Sequence, residues 1–203
     1  FGQFGSLTSG GGALGSDFST GGGAIGADLF ATPHSLLGVA VGGGRSTVSL
    51  DTNPENGTIS FIQLGIYGAQ SLGDGFAVDG AAVYSHDYYD VSRGIFLPGT
   101  NRVATSSHGG NDAAADVGIS RPYIAGGWEV TPRAALSYYH IGQSNFSESG
   151  ADSLDLAVSP HSLDAMFSRI SLAIAQPIRL DSGDIVPEFR AAWFHNFIDR
   201  QAQ

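Results

Sequence analysis

The chain has 203 residues, and its 19 Asp and Glu residues outnumber its 9 Lys and Arg residues, giving a net charge of −10. This balance argues against a nucleic-acid partner, because phosphate neutralisation needs clustered basic residues. The absence of cysteine excludes disulfides, thiol nucleophiles and cysteine metal sites. Thirty glycines and only 14% charged residues indicate an ordered, glycine-rich β protein of one domain's length.

The hydropathy of the sequence predicts that, if this chain crosses a membrane, it does so with strands. No apolar run approaches the ~18 residues of a transmembrane helix. No signal peptide begins at Phe1, so the sequence is expected to be a mature or excised form.

Eight clusters rich in Gly, Asn, Asp and Pro divide the chain into about nine predicted strands. These strands are expected near 1–7, 19–30, 34–50, 57–71, 76–93, 103–123, 128–147, 156–178 and 185–199. The breaks near 32, 73, 125 and 182 are short, whereas those near 12, 53, 99 and 151 are generally longer and more polar. Short turns at one rim and long loops at the other are typical of an outer-membrane barrel. No linker interrupts the chain, so residues 1–203 are predicted to form one domain.

Two segments, 130–140 and 185–195, have the same order of residue types: proline, small residues, paired aromatics and histidine. Their side chains alternate between an apolar and a polar face, as successive residues of a strand do. From Trp128 to Tyr138 is ten steps of roughly 3.3 Å, which a tilt of about 40° projects to about 25 Å, the height of the apolar band of an outer-membrane barrel. Five aromatic residues are predicted to lie at the membrane interfaces: Phe76, Tyr84, Trp128, Tyr138 and Trp193.

The same alternation continues in other strands, and the charged residues fall on the less apolar face. That face carries Gly, Ala, Ser and charges of both signs, which favours a hydrated lumen over the outer face of a soluble β-sandwich. The predicted lumen-lining residues are Gln63, Tyr67, Asp79, Asp87, Glu129, Arg133, Arg169, Glu188 and Arg190. Two roles are open for them: solvating a threaded polar segment, or bridging one another to hold a barrel open. Both roles are compatible.

Residues 22–44, from Gly22-Gly23-Ala24 through Ala31-Thr32-Pro33 to Leu36-Leu37-Gly38-Val39-Ala40, resemble the early hairpin of autotransporter translocator domains, the barrels of type V secretion. Further matches follow in the family's order at 64–68, 131–136, 145–151 and 191–195, so the resemblance covers essentially the whole chain. It implies an antiparallel transmembrane β-barrel that anchors an N-terminal passenger in the bacterial outer membrane and helps it reach the cell surface. The implied partners are outer-membrane lipid, the chain's own passenger segment and the barrel-assembly machinery.

The end of the chain departs from this family pattern. Such barrels resemble closed cylinders of about twelve strands that finish in an aromatic residue, whereas about nine strands are predicted here and the chain stops at Gln203. An odd strand number is avoided by bacterial barrels, and an open edge in lipid leaves unsatisfied backbone groups. We therefore expect a fragment that is incomplete at its C-terminus, or further strands that the pattern does not assign.

Chemical motifs predict no catalytic, metal or cofactor site. His86 and Asp87, with Asp90 nearby, offer metal ligands, but neighbouring residues of a strand point to opposite faces. His140 and His195 lie just beyond aromatic positions, where interface anchoring is favoured over catalysis. The glycine-rich segment 41–47 lacks the end of a phosphate loop, and Ser107-His108-Gly109-Gly110 lacks an accompanying nucleophile elbow. The chain is therefore not expected to be an enzyme.

Two alternatives stay open at the level of sequence. One is an outer-membrane porin or surface barrel without a passenger, which a signal peptide directly before Phe1 would support. The other is a soluble β-sandwich that binds ligands or other chains, which purification without detergent would support.

Overall fold

A computed structural model of the protein describes residues 1–9, 15–50, 55–180 and 183–198. The fold consists of strands, with one short 3₁₀ helix at Asp152–Leu154. The strands are β1 Gly2–Leu7, β2 Ser16–Ala31, β3 Ser35–Leu50, β4 Asn56–Gly73, β5 Phe76–Leu97, β6 Thr100–Ser120, β7 Tyr123–Ala125, β8 Trp128–Gln143, β9 Phe146–Ser147, β10 Ala157–Val158, β11 His161–Ala175, β12 Ile178–Leu180, β13 Gly183–Ile185 and β14 Glu188–Asn196. In the described part of the chain, no helix has the length and apolar character needed to span a membrane.

Nine long strands form one antiparallel sheet in the order β1-β2-β3-β4-β5-β6-β8-β11-β14, with β7 added beside β8. The sheet curls into a half-barrel, and two small hairpins, β9 with β10 and β12 with β13, lie outside it. These nine strands correspond one for one to the nine predicted from sequence. The predicted antiparallel β-barrel class is confirmed. The predicted turns near 12 and 53 lie largely outside the described residues.

The predicted break near 99 is wrong in length. Instead of a long polar loop, Pro98 and Gly99 form a two-residue turn, and Leu97 pairs directly with Thr100. Gly99 has a φ of 82°, a conformation that glycine adopts without the steric penalty of a Cβ. The hairpin of β5 and β6 therefore extends well beyond its neighbours, because β4 pairs with β5 only up to Ser92.

The sheet is a single layer, and it has almost no buried apolar core. Among the described residues, the buried apolar ones are four alanines, and no large side chain is fully buried. Ile66, Ile170 and Trp193 are each more than half exposed. A soluble β-sandwich buries such a face between two packed sheets. In the described part of the chain no second sheet covers the large apolar face, as the alternative of a β-sandwich would require.

Glycines in β3 and β6 let long side chains cross the strand beside their own. The Tyr67 hydroxyl on β4 donates to Asp28 Oδ1 on β2 at 2.7 Å, and its ring passes over Gly38 of β3. Arg133 on β8 passes over Gly118 of β6 in the same way. A Cβ at either glycine would overlap the crossing side chain, so these positions require the absence of a side chain.

We expect Gly118→Val to lower the free energy of unfolding by about 1–3 kcal/mol, because the new side chain would displace the Arg133 guanidinium. The measurement is the temperature at which the folded, fast-migrating band is lost in unboiled gel samples. Gly23→Val is the matched control, since a Cβ there meets nothing within 4 Å. Equal stability of the two variants would contradict the role assigned to Gly118.

Candidate functional site

The pairing register brings all nine predicted polar residues to one face of the sheet. Because side chains at paired positions share a face, the register can be followed from strand to strand. Arg133 on β8 reaches Asp79 on β5 across β6, so side chains converge on this face, which we call the concave face. The residues that share it are Gln63, Tyr67, Asp79, Asp87, Glu129, Arg133, Arg169, Glu188 and Arg190. That this face lines a lumen stays a prediction.

An ion-pair network lies across four strands of the concave face. The Arg133 guanidinium pairs with Asp79, with Nε 3.0 Å from Oδ1, and also donates through Nη2 to Asp116 Oδ1 at 2.6 Å. Arg169 Nη2 lies 3.6 Å from the second oxygen of Asp116, which also accepts a hydrogen bond of 2.6 Å from Ser137. Two arginines and two aspartates thus balance each other, in accord with the bridging role.

Asp116 is a network member that the sequence prediction missed. It lies within Ala113-Ala114-Ala115-Asp116-Val117, where the small residues obscure the alternation. The available signal was the charge itself: Asp112 and Asp116 are four residues apart in a strand, so both must point to the same face. The register confirms this, because both positions pair with concave residues of β5 and β8.

The other predicted residues form separate local contacts instead of one site. Tyr67 bonds to Asp28, as described above, and Arg190 pairs with Glu188 on its own strand, with Nη2 2.8 Å from Oε1. Asp87 is 4% exposed and accepts a hydrogen bond of 2.8 Å from Ser85. His86 lies on the opposite face from Asp87, so the two side chains do not converge on one metal site.

A cavity of about 540 Å³ opens on the concave face between β4, β5, β6 and β8. Its walls combine apolar and aromatic side chains with polar ones, including Phe61, Val83, Tyr139, Gln63 and Asp87. The Ser85 hydroxyl and the Asp87 carboxylate, which are hydrogen-bonded to each other, also line this cavity. The arrangement offers a partly polar, partly apolar surface on the concave face.

The outward face carries the predicted interface aromatics in a repeated arrangement. Tyr84 donates to Asn111 Oδ1 at 2.7 Å, and His86 Nδ1 lies 2.8 Å from the same oxygen. On β8 and β11, the Tyr138 hydroxyl lies 2.6 Å from Asp164 Oδ1. His140 Nδ1 lies 2.8 Å from the same oxygen.

The remaining interface aromatics also point outward. Phe76 and Trp128 begin β5 and β8 directly after tight turns, and the Arg121 guanidinium lies 4.8 Å from the centre of the Phe76 ring. Trp193 stacks on His195 at 5.8 Å. Rings with apolar bodies and polar ends are suited to a membrane boundary. The interface assignment itself stays a prediction.

A single curled sheet with an exposed apolar face outside and paired charges inside defines a transmembrane β-barrel protein. The chain belongs to the autotransporter β-domain family, whose model, "Autotransporter beta-domain", matches residues 1–203. This confirms the family predicted from the sequence. The chain is accordingly an outer-membrane barrel for the secretion of a passenger.

Solved structures of similar fold come from the same class of domain. The translocator domain of the autotransporter NalP from Neisseria meningitidis has a TM-score of 0.83 and 19% identity, over 98% of this chain and 67% of that chain. The β-domain of the Bordetella autotransporter BrkA has a TM-score of 0.69 and 19% identity, over 90% of this chain and 73% of that chain. At this identity the likeness shows the fold. A search of the curated proteins found no significant match.

We expect Arg133→Met to lower the free energy of unfolding by about 1–3 kcal/mol, between the ~0–1 kcal/mol of an exposed pair and the ~3–5 kcal/mol of a fully buried one. The Arg133 side chain is 17% exposed, and its loss leaves Asp79 and Asp116 facing each other without a bridging cation. Heat-dependent gel mobility of the folded domain is the measurement.

Arg190→Met is the matched control, because the Arg190–Glu188 pair is exposed and joins residues of one strand. It should shift the transition temperature little. A larger loss of stability in Arg190→Met than in Arg133→Met would show that the four-strand network is not the dominant polar contact.

Proposed function

We propose that this chain anchors its own N-terminal passenger in the outer membrane and that the concave face lines the route of the passenger to the surface. The observation that carries the proposal is the pairing of four concave charges with one another. Asp79, Arg133, Asp116 and Arg169 form ion pairs with one another across four strands.

Self-pairing is the property that a transit surface needs. An unpaired carboxylate or guanidinium in a confined polar space would hold a passing segment of opposite charge, whereas a neutral network solvates polar groups without strong retention. The same network ties β5, β6, β8 and β11 together on their inner side. Holding the wall and keeping this part of the concave face neutral are thus two results of one set of contacts.

The proposal also assigns outer-membrane lipid as the partner of the outward face. Ile62, Leu64 and Ile66 project outward from β4, and each is more than half exposed. Exposed apolar surface of this extent is favourable only against an apolar environment. Inserting such a sheet requires every backbone group to be paired before or during entry into lipid, so we propose the barrel-assembly machinery as a partner during biogenesis.

We expect Ile66→Arg to reduce the amount of heat-resistant barrel recovered from outer membranes, because an outward charge costs about 2–4 kcal/mol near the middle of the bilayer. Gln63→Arg is the matched control: it adds the same charge to the same strand, on the concave side near Asp87. Equal losses in both variants would contradict the assignment of the two faces.

The secretion role is tested in the full-length protein that contains this chain, expressed in a Gram-negative host. We expect added protease to remove a passenger from intact cells while the barrel keeps its heat-dependent shift in gel mobility. A heat-shifted barrel with no polypeptide at the cell surface would identify a barrel without a passenger and overturn the proposal.

A further inference from the structure

The segment that joins β8 to β11, residues 144–160, folds back over the concave side of the long β5–β6 hairpin; we call it the mouth segment. It contains β9, the 3₁₀ helix and β10. Ser149 forms a bridge with Thr105 of β6, with backbone hydrogen bonds of 2.8 and 2.9 Å in the two directions. The mouth segment thus continues the sheet beside β6 at the end opposite the short turns.

Two arginines of the hairpin hold the mouth segment from the concave side. The Arg93 guanidinium pairs with both oxygens of Glu148, with Nε 3.0 Å from Oε1, and also donates to the Leu154 carbonyl at 3.1 Å. Arg102 Nη1 donates to the Ala151 carbonyl at 2.7 Å and lies 2.9 Å from Asp152 Oδ2. The first pair is largely buried and the second is mostly exposed, since Glu148 is 8% exposed and Asp152 is 82% exposed.

His108 of β6 is stacked between two rings, one from each side of the contact. Its ring centre lies 5.1 Å from that of Tyr89 on β5 and 3.9 Å from that of Phe146 in the mouth segment, with both pairs of planes nearly parallel. Gln143 contacts His108 Nε2, whereas Nδ1 is buried without a hydrogen-bond partner. Burial lowers the pKa of His108, so the neutral ring is favoured in the stack.

The mouth segment is also held by its own buried residue and internal hydrogen bonds. Ala151 is fully buried, and its amide donates to Asp155 Oδ1 at 2.8 Å. Glu148 accepts a further hydrogen bond of 3.0 Å from the Leu156 amide. Its hydrogen bonds with Arg93 hold the pKa of Glu148 below its usual range, so the pair persists at mildly acidic pH. The segment matched from sequence, Asn145–Ala151, supplies the contacts of Phe146, Glu148, Ser149 and Ala151.

We propose that Arg93, His108 and Glu148 are positioning residues that hold the mouth segment against the wall and so keep the mouth of the concave face open during passenger export. The inference rests on the proposed function. A connection of 17 residues that is not held is a mobile chain, and at this position it would sample the opening through which a passenger leaves. Because the part-buried ion pair and the ring stack hold it, the mouth segment is part of the wall.

The test measures how fast newly made passenger becomes accessible to protease on cells that express the full-length protein. Arg93→Glu and Glu148→Arg should each slow this rate several-fold, because each places two like charges together. The double variant R93E/E148R should restore the rate. The heat-dependent gel shift of the barrel is expected to be unchanged in all three. Arg102→Glu is the matched control at the exposed pair and should have a smaller effect.

A crosslink separates positioning from general stability. Thr105→Cys with Ser149→Cys lies at a hydrogen-bonded bridge, where Cα atoms about 5.5 Å apart suit a disulfide, and the chain has no other cysteine. In the Arg93→Glu background, oxidation should restore the export rate, and reduction should remove the rescue. If a single reversal prevents the barrel from forming, Glu148→Gln with the same crosslink gives the comparison.

The outcomes distinguish the two proposals. No surface passenger from the wild-type protein would overturn the proposed function. Surface passenger from the wild type, with single reversals exporting at the same rate or with no rescue by the crosslink, would overturn the positioning role alone.

Discussion

The structure depends on one constraint: a single-layer sheet presents alternate side chains to two different environments. Strand geometry fixes the alternation at every second residue, so each strand must satisfy both sides at once. In β8, Leu136 and Tyr138 point outward while Arg133 and Ser137 join the concave network. Among the described residues no second layer covers the outward face, so the surrounding medium takes the place of a core. This is why the exposed fraction of large apolar residues, abnormal for a soluble protein, fits a membrane barrel.

The alternation also explains what could be predicted from the sequence. The faces of β4, β5, β8 and β11 follow from the side-chain period alone, and the register agrees with all of them. The number of long strands followed from turn residues such as Gly73 and Gly126, which have positive φ. The family was predicted from several short motifs that occur in the family's order, although no single motif identifies the family.

What could not be predicted depends on contacts between residues distant in sequence. The polar residues around Pro98 and Gly99 predicted a long loop. They belong instead to the part of the β5–β6 hairpin that extends beyond β4, where Arg93 and Arg102 pair with the mouth segment. Asp116 was hidden for a related reason: its role depends on Arg133 and Arg169, which come from two other strands. The small hairpin of β12 and β13 lies at the break predicted near 182, but its pairing as a hairpin separate from β11 and β14 was not predicted.

The choice of basic residue connects the concave network to the mouth segment. All nine basic residues of the chain are arginines, and in the described part of the chain five of them form ion pairs with carboxylates. A planar guanidinium can contact two acceptors in fixed directions, which a lysine ammonium does less well. Arg133 uses this geometry to join β5 and β6 from β8, and Arg93 uses it to join Glu148 and the Leu154 carbonyl. Arginines thus join elements that are not sheet neighbours in this strongly acidic chain: Arg133 connects β8 to Asp79 of β5, and Arg93 connects β5 to Glu148 of the mouth segment.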